Sequence, residues 1–179
     1  MSEKELEHYL WIEKISDELA SKAKMHVLHG MWTPSGYFHI GNSRGELLVP
    51  GFLKQALKEK GIEVTQQFIM DDFDDFDKVP EGIAVDKKEF AQYLGKPLRE
   101  IPSPVPGFNN WAEYFSHDVL SRMKDYGIHA TILSSYDSYK KGLYDEAIKI
   151  ALDKSEIIRE ILNDVANAKK EQGWLPVMV

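Results

Sequence analysis

The stretch Thr33-Pro34-Ser35-Gly36-Tyr37-Phe38-His39-Ile40-Gly41-Asn42 gathers, in one short loop, the residue types that can hold a phosphate. Gly36 and Gly41 let a ligand approach the backbone where a side chain would collide with it. His39 and Asn42 stand three apart, so on a first helical turn they share a face and can aim at one ligand. An apolar run, Met25-His26-Val27-Leu28, precedes the stretch, and a helix-like pattern follows it to Lys60. Strand, glycine loop, helix is the order in which an α/β domain presents backbone N–H groups to a phosphate. It is also the order of an ordinary strand-to-helix turn, and two glycines alone do not separate the readings. The Thr33 and Ser35 hydroxyls flank a proline that stiffens the loop; they can bind a ligand's carboxylate or amine, or merely cap the turn.

A second group is acidic: Asp71-Asp72-Phe73-Asp74-Asp75-Phe76-Asp77, directly after the apolar run Ile62–Met70. Open parallel sheets bind ligands beside the carboxyl ends of their strands, and clustered carboxylates repel unless a cation lies near. Asp71 or Asp72, nearest the strand end, can therefore receive an ammonium group. Asp72-Phe73-Asp74 also matches the Asp-x-Asp of magnesium-dependent phosphatases of the haloacid dehalogenase type, although those enzymes generally continue with an apolar residue and then Thr or Val, where this chain has Asp75-Phe76. A solvated loop with Phe73 and Phe76 packed beneath it is the plain alternative. Tyr136, Tyr139, Lys140 and Lys141 could stack on and neutralise nucleic acid or simply be solvated. His26, His29, His117 and His129 lack a carboxylate at ligand spacing and read as structural.

The elements that must position these groups form an α/β pattern. Ser2 and Glu5 fit a capping box, and Leu6, Leu10, Ile15 and Leu19 give a loose helical stripe to Lys22. Met25–Met31 predicts a buried first strand. The next helix ends at Gly61, with a kink or break at Pro50-Gly51; Ile62–Met70 then predicts a second strand, parallel to the first. Residues 71–108 form a long loop-rich insertion with one short helix near Lys87–Leu94; so long a connection is usually functional or mobile. Asn110 caps a helix that ends at Gly127, Ile128–Leu133 predicts a third strand, and Leu143–Lys170 one long helix or two joined near Asp153-Lys154-Ser155.

At 179 residues the chain has room for a single domain with a sizeable core. Hydrophobic residues at 43% and charged residues at 28% give a globular balance, and no apolar run approaches the ~20 residues that cross a bilayer. Absence of cysteine excludes disulfides and thiolate metal sites and fits a cytoplasmic chain, as does the polar start Met1–Lys4, which has no secretory pattern. The formal charge of −7 excludes a strongly basic nucleic-acid binder.

Taken whole, the loop resembles the His-Ile-Gly-His ATP-binding element of class I aminoacyl-tRNA synthetases, with Asn42 in the last place. The form Thr-Pro-Ser-Gly-Tyr-x-His-x-Gly-Asn is similar to class I lysyl-tRNA synthetases of the archaeal type. The resemblance continues through Met70-Asp71-Asp72-Phe73-Asp74, Lys78-Val79-Pro80, Tyr93-Leu94-Gly95, Tyr139-Lys140-Lys141-Gly142 and Gly173-Trp174-Leu175-Pro176-Val177-Met178-Val179.

It implies a Rossmann-like parallel sheet with flanking helices, residues 1–179 forming the amino-terminal part of a catalytic domain. It implies ATP, with Mg2+, bound across Pro34, Ser35, Gly36, Tyr37, Phe38, His39, Ile40, Gly41 and Asn42, with His39 and Asn42 acting on the triphosphate. L-lysine would be held by Thr33, Ser35, Asp71 and Asp72, and tRNA(Lys) by regions mostly outside these residues; no resident metal is expected. Gly30-Met31-Trp32 departs from the pattern, Met31 standing where the resemblance implies glycine and bringing a side chain close to the amino acid. No Lys-Met-Ser-Lys-Ser element, cysteine-rich insertion or anticodon-binding region occurs, so the expectation is part of a larger enzyme, inactive alone. The rivals are a synthetase-like paralogue that binds a nucleotide or amino acid without charging tRNA, and another nucleotidyltransferase.

Overall fold

The computed structural model describes residues 3–177, with side chains from Trp11 onward. Ser2 of the predicted capping box and Met178-Val179 lie outside the described residues, as do the side chains of Glu5, Leu6 and Leu10. The chain divides into two units, residues 1–136 and 137–179.

In the first unit a parallel sheet runs in the order β1 (Met25–Trp32), β2 (Glu63–Met70), β3 (Thr131–Ser134), as the α/β pattern predicts. Gly30 pairs with Phe68 and Trp32 with Met70, so the loop starting at Thr33 and the acidic run starting at Asp71 leave the sheet side by side. Period-2 alternation sorts the side chains by face. Gly30, Trp32, Val64, Gln66, Phe68 and Met70 are buried on one face, whereas Met25, Val27 and Met31 on the other are exposed. The buried first strand predicted from its apolar run is thus covered on one face only, where α1 (Glu3–Lys22), the helix after the loop and a helix at Trp111–Arg122 all pack. The third strand starts later than its apolar pattern predicts. Ile128 is drawn into the core and the His129 carbonyl accepts from Lys54 Nζ at 2.6 Å, so ladder pairing begins only at Thr131.

The helix after the loop is continuous but not uniform: α2 (Ile40–Asn42), a π-helical stretch Ser43–Leu48, then α3 (Val49–Glu59). Val49 N–H bonds the carbonyl five residues back, at Arg44. An α register would instead ask Pro50 to donate to the Glu46 carbonyl, and proline has no N–H. The predicted interruption at Pro50-Gly51 therefore takes the form of a widened turn just before the proline, not a break. That turn lies directly on the sheet. A Cβ on Gly30 would sit 2.0 Å from the Glu46 carbonyl oxygen and 2.7 Å from its Cα. Gly30 is what allows helix backbone to touch strand backbone there. The Glu46 carboxylate then takes the Met31 N–H at 2.9 Å, and Gln66 Nε2 donates to the Leu47 carbonyl at 3.1 Å.

The insertion 71–108 is loop-rich, as expected, yet supplies much of the core. Phe76 and Gly95–Lys96 exchange backbone hydrogen bonds, Leu98 N–H reaches Asp74, and Arg99 N–H reaches Asp72. Between these ties run α4 (Lys87–Phe90), capped by Asp86, and short 3₁₀ turns. Phe76, Phe90, Leu98 and Ile101 close around Trp111, which opens α5 (Trp111–Arg122) beneath an Asn110 cap. In the second unit, following α6 (Ser135–Lys140), α7 (Asp145–Asp153) and α8 (Ser155–Ala166) are two helices joined at Lys154. Asn167 in the left-handed region ends α8, and Asn163 and Arg159 bond the Lys170 carbonyl.

Replacing Gly30 by alanine forces the Glu46 turn off the strand and is expected to lower stability by about 1–3 kcal/mol, the usual cost of overpacking. Gly45→Ala, where nothing lies within 4 Å, is the matched control. Urea midpoints of the two variants decide it; an unchanged Gly30→Ala would refute the close approach.

Candidate functional site

The phosphate-type loop is built from its own backbone and anchored to α5. Ser35 N–H folds back to the Thr33 carbonyl at 2.8 Å across Pro34, and Trp111 Nε1 donates to the Ser35 carbonyl at 3.2 Å. Tyr37 packs edge-on to Phe115 with centroids 5.2 Å apart; Phe38 packs on Trp32 at 4.9 Å and Phe68 at 6.4 Å. The Phe38 ring is held by packing, whereas Tyr37 stays 65% exposed beside Phe115. The Ser35 side chain is exposed.

His39 is the N-cap of the helix. Its Nδ1 accepts from Gly41 N–H at 3.1 Å, and its own N–H donates to Asn42 Oδ1 at 3.2 Å, a closed capping box. With Nδ1 accepting, the neutral ring carries its proton on Nε2. With Oδ1 accepting, Asn42 has its NH2 left to donate. The two residues singled out by spacing are thus brought together, the Gly41 N–H leaving His39 Nε2 as a donor and the His39 N–H leaving the Asn42 NH2 as one, at the start of a helix whose dipole favours anions. Gly41 has its own reason to be glycine: a Cβ there would meet the His39 ring at 3.0 Å.

The carboxylates at the strand ends divide into two kinds. Asp72 is buried and fully engaged. Ser134 Oγ donates to it at 2.8–2.9 Å, Tyr136 N–H at 2.9 Å, and Arg99 Nη1 lies 3.4 Å away. It ties the ends of β2 and β3 to the insertion, which leaves little room for an ammonium and none for the nucleophile of an Asp-x-Asp phosphatase. Asp71 is half-buried. Burial pushes its carboxyl above the ordinary range, the nearby Asp74 and Asp72 add to this, and a Ser135 hydroxyl bond opposes it. Asp74 is also raised, first by burial and then by Asp75, and the Thr33 hydroxyl bonds it. Among the described residues no lysine or arginine ion-pairs with Asp71 or Asp74. Thr33, Asp71 and Asp74 therefore form a negatively charged edge without a protein cation, beside the loop that carries His39.

Sequence reasoning named Thr33, Asp71 and Asp72 but missed Ser134, Ser135 and Glu46. Two serines ending an apolar strand were the available signal; nothing in spacing announces Glu46. Of the aromatic-basic group, Tyr136 is held through its hydroxyl to Glu100 Oε1 at 2.8 Å. No group of three or more metal-type ligands occurs among the described residues, nor any helix long and apolar enough to cross a membrane.

Comparison with known proteins identifies the family. Residues 9–179 match the family described as tRNA synthetases class I (K). A lysine–tRNA ligase of Methanocaldococcus jannaschii is 38% identical over 171 residues, 94% of this chain and 32% of the relative. Those of Pyrococcus horikoshii and Thermococcus kodakarensis are 37% and 36% identical, each over 93% of this chain and 32% of its own length. The chain thus spans about a third of the length of the curated relatives it matches.

The neighbouring carboxylates should answer mutation with opposite signs. Because the folded-state pKa of Asp71 is raised, its ionisation destabilises the fold: stability is greatest below the ordinary Asp value of ~3.9 and is lost as pH rises through the raised value. Asp71→Asn is therefore expected to raise Tm, by more at about pH 7 than at about pH 4. Asp72→Ala leaves buried donors unpaired and is expected to cost about 1.5–3 kcal/mol. Thermal unfolding at the two pH values checks both; a destabilising Asp71→Asn would show that carboxylate to be structural.

Proposed function

The chain belongs to the class I tRNA synthetase (K) family, and on that premise we propose that the protein activates L-lysine with ATP and joins it to tRNA(Lys). In this reading residues 34–42 cradle the ATP phosphates, and Asp71, supported by Asp74 and Thr33, receives an ammonium group of lysine. A lysine carboxylate oxygen then attacks the α-phosphorus and pyrophosphate leaves. His39 Nε2–H and the Asn42 amide stabilise the negative charge that grows on the phosphates, and donors preorganised for developing charge act mainly on the transition state. Mg2+ enters as part of the nucleotide substrate. A terminal hydroxyl of the tRNA next attacks the aminoacyl carbonyl and AMP departs. The net charge of −7 favours a tRNA-docking surface supplied by other residues.

One observation carries this reading: Asp71 and Asp74, which have no lysine or arginine ion pair among the described residues, stand next to a helix start whose free side-chain atoms are donors. A cationic amino acid and a polyanionic nucleotide are the pair that such a site complements. Of the two candidates, Asp71 or Asp72, the three protein groups already on Asp72 favour Asp71 as the ammonium partner. The paralogue reading, binding without tRNA charging, is separated by aminoacylation itself.

The test is lysine-dependent ATP–pyrophosphate exchange by the full-length protein. His39→Ala should lower the rate by about 10²–10³ while moving the lysine KM little. Asp71→Ala should lower kcat/KM for lysine by about tenfold or more, as expected for a lost charged hydrogen bond. A His39→Ala protein with an unchanged rate would remove the assignment of the loop. The 179-residue chain by itself is expected to give no exchange above background, since a doubly wound nucleotide site is shared between two halves of the sheet; robust exchange would mean that the whole site lies within these residues.

A further inference from the structure

Trp111 is completely buried, packed on Phe76, Phe90 and Phe115 with ring centroids 4.9–5.4 Å apart. The one polar group of its side chain, the indole N–H, leaves that apolar surround and donates to the Ser35 carbonyl at 3.2 Å, 76 positions earlier in the chain. The Ser35 N–H reaches back to the Thr33 carbonyl at 2.8 Å, so both sides of this residue are held. Two residues on, the Tyr37 hydroxyl hydrogen-bonds that of Tyr114, and the Tyr37 ring stands edge-on to Phe115. Trp111, Tyr114 and Phe115 all belong to α5. One helix therefore grips the loop on either side of Gly36.

The Ser35 carbonyl and the Gly36 N–H belong to the same peptide group. No peptide bond among the described residues is cis, and in a trans peptide the C=O and N–H point in opposite directions. Drawing the carbonyl onto the indole therefore turns the Gly36 N–H away from Trp111, to the other side of the loop. Among the described residues no acceptor takes that N–H. A Cβ built on Gly36 meets nothing within 4 Å, so the space beside it is open. The Gly36 φ lies outside the left-handed region. Glycine is therefore not required there by backbone conformation, and what it leaves is clear approach to the N–H.

We propose that Trp111 is a positioning residue of the nucleotide loop: its indole N–H fixes the Ser35–Gly36 peptide so that the Gly36 N–H stands as a preset donor to a phosphate oxygen. This rests on the reading of residues 34–42 as the phosphate cradle, and adds to it the group that sets the cradle's backbone. A peptide free to turn would have to be ordered as the nucleotide binds, and that ordering weakens affinity. The insertion gains a role by the same route. Its Phe76 and Phe90 hold the ring whose N–H holds the loop.

Trp111→Phe removes the donor and keeps an aromatic ring. Installing 3-benzothienylalanine at position 111, with sulfur in place of the N–H, removes the same donor while preserving ring size and packing. In lysine-dependent ATP–pyrophosphate exchange by the full-length protein, both changes should raise the KM for ATP by about tenfold or more, the usual loss for one hydrogen bond to a charged group. The KM for lysine should stay nearly unchanged. In the ¹⁵N-labelled 179-residue chain, the order parameter of the Gly36 amide should fall from the rigid range, about 0.85, toward 0.6, while that of Gly45 holds. A Gly36 amide equally rigid in both variants would overturn the proposal without reference to any nucleotide. So would an unchanged KM for ATP in the isostere while His39→Ala still slows exchange. Equal rises in the two KM values would mark general loosening and overturn it as well. A loosened Gly36 together with a His39→Ala protein of unchanged rate would overturn the cradle reading, and this proposal with it.

Discussion

Helix backbone rests directly on strand backbone where Glu46 crosses Gly30, and the rest of the first unit is arranged around that contact. A side chain of any size at residue 30 would lift the helix off the sheet. The lift would move the helix start, and with it the capping box that orients His39 and Asn42. Glu46 adds a second tie by accepting the Met31 N–H of an edge strand, a group that the sheet itself leaves unpaired. Seating the helix thus also protects part of the sheet's open edge.

Charge is divided around the strand ends in a way that spacing alone does not reveal. Asp71 and Asp72 are consecutive, so on an extended backbone they point to opposite sides. One side meets Ser134, the Tyr136 N–H and Arg99, and its carboxylate becomes a clamp between β2, β3 and the insertion. The other meets Ser135 and a second carboxylate, and no lysine or arginine among the described residues ion-pairs with it. Adjacent carboxylates therefore differ in what they contribute, Asp72 being a complete clamp and Asp71 carrying a raised pKa that burial imposes.

How much of this was legible depended on the range of the interaction. His39, Gly41 and Asn42 interact within one turn, so their spacing carried the geometry. The Asn110 cap and the end at Gly127 were local for the same reason. Ser134 reaches Asp72 across 62 positions and Glu46 reaches Met31 across 15, and composition holds no record of such pairings. β1 misled because an apolar run reads alike whether both faces are covered or one. Pro50 was correctly read as an interruption, but its form depended on the sheet beneath, which lets the chain widen a turn instead of breaking it. The insertion 71–108 has no periodicity to read; its prolines and short turns wrap a core around Trp111 that no regular element would have announced.

The widened turn at Ser43–Leu48 amounts to one surplus residue in an otherwise regular screw. Each α-helical residue advances the screw by about 100°. Deleting any one residue from this stretch would force Pro50 into a regular α register, where it has no N–H to give and crowds the carbonyl four residues back. It would also shift the helix start, and the His39–Asn42 capping box with it, relative to α3. Length across this segment is consequently under stricter control than identity: exchanges of side chain at exposed Arg44 or Gly45 leave the phase intact, whereas an insertion or deletion of one codon resets it. A reading frame that drifts freely in its loops should keep its count here.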